Sequence, residues 1–573
     1  MIENFDVFDF DIKTHNFDSS SLISIASENF LVTDFWPSIY ILINDRIKEV
    51  YIGESANIIT RFKNHLNHKV KKNLNSVYLI TSKSFNKSAT LDIESNLIKY
   101  FDADKKYKLI NGNAGLINQN YYQKTLYGKI FLDIWKKLQA SSVAIDELKK
   151  LDNTDYFKYS PYKSLTFDQL ESVTKILELL TTKNNQSIFI KGSAGTGKTI
   201  VAVYLMKLLL TDIEIYDEES LDGDSLYLIE LVKKYKEKHP NPKIALVVPM
   251  TSLRGTLKKV FKSVKGLSTK NVIGPSGVLK SEYDLLLVDE SHRLRRRKNI
   301  TNYKSFDKNN NLLGLDQNGT ELDWILRKSS NQIFFYDPLQ SIRPSDIPQE
   351  IFQKLIDKPH VSTVKLKSQL RVIGGVDYIN FIDDLLECNL ERKELFLKNN
   401  LYEFYLFDDL SQMINELQKR EDEFQQARLV AGYAWKWKSK KKSNVYDIHI
   451  QDIKLKWNSV NSDWINSKNA FFEVGCIHTT QGYDLNYTGV IFGNEISYNP
   501  DTNEIVINKD NYFDRNGKSG IVDVKELKNY ILNIYKTLMY RGMRGTFVYA
   551  CDENLRRYLE EHILSYKFRE AFY

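Results

Sequence analysis

The chain has little of what marks a secreted or membrane-spanning protein. Only three of its 573 residues are cysteine (Cys388, Cys476 and Cys551). They lie far apart with no paired spacing, so they offer neither a disulfide framework nor a zinc site and fit a reducing cytosol. A cytoplasmic location is therefore expected. The N-terminus, MIENFDVFDFDIK, is acidic and lacks the basic-then-apolar layout of a signal peptide. No apolar run reaches the length of about eighteen residues that crosses a bilayer, so no membrane partner is expected. No repeat with a period of about 20–50 residues stands out. An excess of one charge is nearly missing too: Lys+Arg is 80 and Asp+Glu is 73, a formal net charge of +7. That mild basicity permits nucleic-acid binding without demanding it.

What is present is ordinary globular material. Hydrophobic residues make up 42% and charged residues 27%, enough for several real cores. At roughly 100–200 residues per domain, three or four domains are expected. Short β-rich runs and amphipathic stretches fill the chain to about Ser160. From Ser164 to about His360 strands alternate with helices, and the pattern resumes from Val361 to the C-terminus as for a second parallel sheet. This divides the chain into an N-terminal extension (1–35), a small domain (36–125), a helical linker (126–163) and two α/β lobes (164–360 and 361–573). Two polar inserts, Arg295–Thr320 and Lys436–Asn444, are rich in Lys and Asn and poor in periodicity, and read as loops.

The clearest chemistry lies after the short apolar strand QSIFIK. Gly192-Ser193-Ala194-Gly195-Thr196-Gly197-Lys198-Thr199 is G-x-x-x-x-G-K-T, and the apolar helix IVAVYLMKLLL follows. Glycines at 192, 195 and 197 let the backbone wrap a phosphate closely, with amides and the helix N-terminus pointing at the anion. Lys198 would reach the β/γ-phosphates of ATP and the Thr199 hydroxyl would bind Mg²⁺. Downstream, DLLLVDE places Asp289 and Glu290 at the carboxyl end of a buried strand, where ligands of parallel α/β sheets sit. Asp289 would hold the Mg²⁺ and Glu290 would polarise the attacking water.

The motifs from Ser164 to Leu559 resemble superfamily 1 helicases, and more closely the Schlafen-type helicase domain of bacterial proteins. The resemblance implies two RecA-like lobes. LTFDQLESV places Gln169 as an adenine reader. ALVVPMTSLRGTLKKVF places Thr251 and Ser252 on the nucleic-acid backbone. FFYDPLQSI places Asp337 and Gln340 as γ-phosphate sensors, and LKSQLRV places Arg371 as a second-lobe phosphate contact. IHTTQGYDLNYTGVIFG places His478, Thr480, Gln481 and Gly482 in a motif coupling nucleotide to strand, and MYRGMRGTFVYA makes Arg541 the arginine finger. Tyr540 stands where a Thr is usual, and Arg544 is a neighbouring candidate for the finger.

Upstream, SIYILI and VYIG read as a hairpin joined by NDRIKE. Next comes a helix with Ile58, Phe62 and Leu66 on one face and Arg61 and His65 four apart on another. The strand SVYLITS follows, then the helix TLDIESNLIKYF, whose stripe Leu91, Glu94, Ile98, Phe101 carries a carboxylate into the core. Such a carboxylate is costly unless paired or bound to a metal. The order resembles the GIY-YIG nuclease family over about Pro37 to Asn113, with Ile39-Tyr40, Tyr51-Ile52-Gly53, Arg61, His65, Glu94 and Asn111, Asn113 competing for the last place. Ser38 stands where the first Gly is usual. The resemblance implies phosphodiester hydrolysis. Glu94 would bind one Mg²⁺, Tyr40 would help activate water with Tyr51 beside it, and Arg61 would offset charge on the phosphate.

The expected architecture is thus α/β: a small mixed α+β nuclease domain followed by two RecA-like parallel-sheet lobes. The expected function is an ATP-driven translocase that moves on nucleic acid and cuts it, with DNA favoured by the nuclease resemblance, RNA left open by the helicase one, and defence against foreign DNA suggested by resemblance. The alternative is a switch in which ATP gates the nuclease without processive movement. Protein partners are left open. Arg295–Lys298 (RRRK) and Trp435/Trp437 beside KSKKK are further strand-contact candidates.

Overall fold

The structure, a computed structural model, describes residues 10–111, 121–161, 165–211, 223–264, 266–391, 394–396, 402–440, 444–460, 463–480 and 483–571. They fall into two compact units. One is Met1–Glu178 with Val203–Lys238 and Lys259–Ser268; the other is Leu179–Ala202 with His239–Lys258 and Thr269–Tyr573.

The first unit holds a sheet of β1 (Asp11–Asn16), β2 (Ser38–Asn44), β3 (Glu49–Ser55), β4 (Ser76–Thr81) and β5 (Lys108–Leu109), in the order β1-β4-β2-β3-β5. β2 and β3 form the expected antiparallel hairpin, Ser38 opposite Ser55 and Asn44 opposite Glu49. Its turn is set by Asn44, whose Oδ1 accepts the Arg46 and Ile47 amides at 2.9 and 3.3 Å, and by Lys48 at φ 55°. Every residue from Ser38 to Ile43 is buried, as for a strand covered on both faces. The extension read as separate is not so: β1 pairs antiparallel with β4, Asp11 opposite Thr81 through Asn16 opposite Ser76, and closes one edge of this sheet. The segment after residue 125 is helical, as expected, and it packs on the small domain. Its helix Lys124–Ala140 packs on the helix Lys87–Asp104, with Phe131 stacked on Tyr100 at 5.4 Å and Trp135 edge-on to Phe101 at 5.5 Å.

Asn57 caps the helix Ile58–Asn67 through the Thr60 amide, and Asn86 caps Lys87–Asp104 through the Ala89 amide. In the latter the buried stripe is Ile93, Leu97, Ile98 and Phe101. The expected stripe ran through Leu91, which is 40% exposed; the face lies slightly around the helix, leaving Glu94 half-buried at its margin.

In the second unit, one sheet comprises β6 (Ser187–Lys191), β7 (Ile244–Val247), β8 (Val272–Ile273), β9 (Tyr283–Val288), β10 (Ser329–Tyr336) and β11 (Val361–Lys365), in the order β11-β6-β10-β9-β7-β8. All its pairings are parallel. β11 pairs with β6, so the first lobe runs through Lys365 rather than stopping at residue 360. The third sheet comprises β12 (Glu403–Leu406), β13 (Ala427–Ala431), β14 (Ile448–Ile450), β15 (Ile453–Trp457), β16 (Glu473–Gly475), β17 (Leu485–Phe492) and β20 (Gly542–Ala550), in the order β12-β20-β17-β13-β16-β15-β14. It is parallel except for its last pair, the hairpin β14–β15. A second hairpin, β18 (Ile496–Asn499) with β19 (Glu504–Ile507), stands outside it.

The insert Arg295–Thr320 is more ordered than its composition suggested. It contains the helix Tyr303–Leu312, capped by Asn302. Its arginines are held: Arg295 by buried Glu321 at 2.7 Å, Arg296 by the Pro344 carbonyl at 3.0 Å and Arg297 by Asp307 at 2.5 Å. The run is therefore not three arginines open to a phosphate. Trp435 and Trp437 pack against the core of the last lobe.

Candidate active sites

The N-terminal site is built around one tyrosine hydroxyl. Tyr40, in the middle of β2, is fully buried. Its hydroxyl shares a hydrogen bond of 2.8 Å with His65 Nε2 and accepts one of 3.3 Å from Arg61 Nε. Arg61 can only donate, while the direction of the Tyr40–His65 bond follows the His65 tautomer: with Nε2 unprotonated, the Tyr40 hydroxyl donates to it. The electrostatics agree: burial, with Lys71 and Arg61 close by, pushes His65 down to about 2, so its ring is neutral. Burial and Tyr51 push the Tyr40 hydroxyl well up, against the pull of Arg61, so it stays protonated. With Nε2 as the accepting nitrogen, Tyr40 could take a proton from water as it passes its own to His65.

Gly53 is required here. On β3, opposite Tyr40, a Cβ at position 53 would run into the Tyr40 ring and hydroxyl. The Tyr51 ring lies edge-on to His65 at 5.0 Å, and the Lys71 ammonium sits 4.0 Å above its face. Asn111 has another task than chemistry. Its Oδ1 accepts the Ile52 amide at 3.0 Å and its Nδ2 donates to the Ile52 carbonyl at 2.7 Å, clamping the Tyr51-Ile52-Gly53 strand. Asn113 lies outside the described residues.

Glu94 lies in this site. Burial and the neighbouring Glu54 carboxylate push it up to about 8, while Lys87, Arg61 and the Glu54 backbone amide draw it down. A half-buried carboxyl whose charge is destabilised in this way suits a divalent cation with oxygen ligands. Glu54 and Lys87 went unnoticed in the sequence, though position 54 directly follows the Tyr51-Ile52-Gly53 motif.

The nucleotide site is assembled from distant segments of the second unit. The loop after β6 turns through Gly195 at φ 85° and Gly197 at φ 80°, conformations that favour glycine. A Cβ at Gly192 would collide with the Thr196 hydroxyl. Lys198, at the start of the helix Lys198–Leu210, is buried and donates to the Gly192 carbonyl at 2.6 Å, the Ser193 carbonyl at 2.9 Å and Asp337 at 3.3 Å. Gln340 Nε2 donates to the same Asp337 oxygen at 2.6 Å. The Thr199 hydroxyl donates to Asp289 Oδ2 at 2.8 Å, while Asp289 Oδ1 is buried with no hydrogen-bond partner. That unpartnered oxygen beside a hydroxyl fits a magnesium ion, which takes oxygen ligands. Burial and Glu290 raise Asp289 to about 7. Burial would raise Glu290 as well, but His292, Lys198 and Arg541 bring it below the usual carboxylate range. Glu290 sits at φ 49° with its carboxylate 2.8 Å from His292 Nε2.

The second lobe enters the same site. Gln369 Nε2 donates to the Ala194 carbonyl at 2.6 Å, the Leu370 amide donates to the Gly195 carbonyl at 2.9 Å, and Gln369 Oε1 accepts the Arg371 amide at 2.9 Å. Arg371 is held 2.5 Å from Asp484. Arg541 is buried, donates to the Tyr483 carbonyl at 3.1 Å and acts electrostatically on Glu290. Arg544 is exposed, its guanidinium 4.6 Å over the Phe424 ring, so Arg541 is the arginine near the site. Arg343 bonds the His478 ring, and Arg293 is paired with Asp346 at 2.5 Å. Burial and Arg343 lower His478 to about 4. Gln369, Asp484 and Arg343 carried no sequence signal beyond their nearness to motifs.

Other expected residues are placed as follows. Gln169 is in the first turn of the helix Phe167–Thr182, its Oε1 accepting the Thr166 amide at 3.1 Å. Thr251 and Ser252 open the helix Thr251–Ser263 just after β7, Thr251 exposed. Thr480 is fully buried, its hydroxyl donating to the Cys476 carbonyl at 3.0 Å. Gln481 and Gly482 lie outside the described residues.

The chain is similar to several known proteins. The GIY-YIG catalytic domain matches residues 37–108. An uncharacterized protein of Saccharomyces cerevisiae is 26% identical over 414 residues, 66% of this chain and 84% of its own. Among solved structures, a Pif1 helicase from Bacteroides in complex with ADP-AlF3 and single-stranded DNA is 12% identical, covering 67% of this chain and 93% of that one with a TM-score of 0.26. An arterivirus nonstructural protein 10 helicase is 10% identical, covering 67% of this chain and 64% of its own, also with a TM-score of 0.26. The Schlafen group 3 DNA/RNA helicase domain matches residues 185–552, well over half of the chain, and to that family the chain belongs.

Proposed function

We propose that the protein hydrolyses ATP to move along a nucleic-acid strand, with DNA as the favoured substrate, and cuts that strand with its N-terminal domain using a divalent metal. The observation that carries the motor reading is the seating of second-lobe residues on the phosphate loop: Gln369 on Ala194 and Leu370 on Gly195, with Arg541 acting on Glu290. An ATP site shared by two sheets ties lobe separation to nucleotide state. Lys198 and the loop amides would hold the phosphates, Thr199 and Asp289 the Mg²⁺, and Glu290 would orient the attacking water. Arg371 and Arg541 would stabilise charge that develops as the γ-phosphate leaves. In the N-terminal site Arg61 would face the phosphodiester and the Tyr40–His65 pair would move the proton. The bound metal would supply electrostatic stabilisation of the phosphoryl oxygens. The three cysteines are free, which suits the cytoplasm. A role in defence against foreign DNA is the cellular setting we propose.

The test is steady-state ATP hydrolysis with single-stranded DNA and RNA of increasing length, together with cleavage of the same labelled strands. A motor on DNA predicts hydrolysis that rises with DNA length and levels off, and cutting whose pattern depends on ATP. Hydrolysis independent of length, with ATP still changing cutting, would replace the motor by an ATP-gated nuclease. Stimulation by RNA alone would replace the substrate.

A further inference from the structure

A second carboxylate stands beside Glu94. Glu54 follows the Tyr51-Ile52-Gly53 motif on β3, its side chain 2% exposed. One oxygen, Oε2, is held by the Lys87 ammonium; the other, Oε1, is buried with no hydrogen bond of good geometry, the nearby Thr90 hydroxyl acting on the carboxyl while donating to the Asn86 and Lys87 carbonyls. Glu94 is within hydrogen-bond reach of the Glu54 backbone amide, and Glu54 is the largest electrostatic influence on it. The two carboxylates, Glu54 buried and Glu94 half-buried, are therefore neighbours, with Arg61 acting on both. Leaving a buried carboxylate oxygen bare is costly, and two adjacent carboxylates repel. The single ammonium that answers them comes from a side chain 62% exposed, one that can swing into water at little cost.

We propose that Glu54 and Glu94 together hold the divalent cation, and that Lys87 is its stand-in, occupying Glu54 when the ion is absent and leaving when it binds. This rests on the nuclease reading of the N-terminal domain. The chemistry fits magnesium or manganese, which bind through one or two carboxylates and leave their other positions to water and substrate phosphate. Among the described residues no group of three such ligands converges, so water and the phosphodiester would complete the shell, with Arg61 on the phosphate.

Mn²⁺ binding to the full chain tests this without reference to activity. Free Mn²⁺ is followed by electron paramagnetic resonance without nucleotide, in an Asp289→Asn background so that the ATP site adds no ion. Glu94→Gln should abolish the N-terminal site. Glu54→Gln should weaken it about tenfold or more. Lys87→Met should tighten it about threefold or more, because no ammonium then competes. If Glu94→Gln abolishes binding while Glu54→Gln and Lys87→Met bind as the parent does, Glu54 is no ligand and the proposal falls with the nuclease reading intact. If Glu94→Gln also binds as the parent, both fall. Should Glu54→Gln fail to fold, Lys87→Met decides: unchanged affinity overturns the proposal.

Discussion

The two candidate sites are built in opposite ways. The N-terminal one draws its side chains from a single short stretch, Tyr40 to Glu94, on adjacent elements of one sheet and the helices beside it. The nucleotide site gathers Gly192, Asp289, Asp337, Gln369 and Arg541 from across two parallel sheets. A local site depends on the packing of its own small core. A distributed site depends on whether two lobes are seated on each other. Damage to the first should therefore register as lost packing and lost cutting together, and damage to the second as lost chemistry in a folded protein.

The largest effect expected is on ATP hydrolysis. Arg541→Ala and Lys198→Ala should each reduce it on the order of 10³-fold, whereas Arg544→Ala should stay within about twofold. Phosphate release measures both, and equal losses at 541 and 544 would undo the distinction that the structure draws between them.

Glu94→Gln should lower strand cutting on the order of 10²-fold and leave hydrolysis within about twofold. A matching fall in hydrolysis would mean that the two sites are not separable.

Gly53→Ala sharpens the contrast in packing. The new Cβ meets the Tyr40 ring, so about 1–3 kcal/mol of stability and most of the cutting should go, with hydrolysis kept. Asn111→Ala, which frees both backbone groups of Ile52, should cost a similar or smaller amount, about 1–3 kcal/mol. Calorimetry should show the loss in one transition; a loss spread over all transitions would contradict a locally built core.

The smallest effect is one of pH. Buried Glu495, which accepts the Tyr535 hydroxyl at 2.5 Å, is pushed up to about 7 by burial. A carboxyl raised above its unfolded value stabilises fully below the unfolded pKa, about 4.5, and that contribution is lost as pH rises through 7. Glu495→Gln has no such group, so its melting temperature should gain on the parent by a few degrees between about pH 5 and pH 8. A pH-independent difference between the two would place the charge in contact with solvent.

Much of this was legible in short spacings. The phosphate loop with its flanking strand and helix, the DE pair ending a buried strand, and the hairpin carrying Tyr40 and Tyr51 all follow from local rules. Those rules also misplaced things where a partner far along the chain decides. β1 falls in what reads as an extension because an edge strand reveals itself only by its neighbour, β4. The first lobe was cut short before β11, whose place is set by pairing with β6, far earlier in the chain. RRRK looked open to phosphates because Glu321, Pro344 and Asp307 are invisible from within it. By itself the sequence determined which chemistries are carried, since each needs particular side chains at short fixed distances: a lysine and threonine after a glycine-rich turn, an arginine and histidine one helical turn apart. Only the tertiary structure decided that Arg541 is buried and acts on Glu290 while Arg544 is exposed, that Asn111 clamps a strand, and that Glu54 stands beside Glu94. Those are contacts between segments, and they exist only after burial has brought the segments together and stripped them of water.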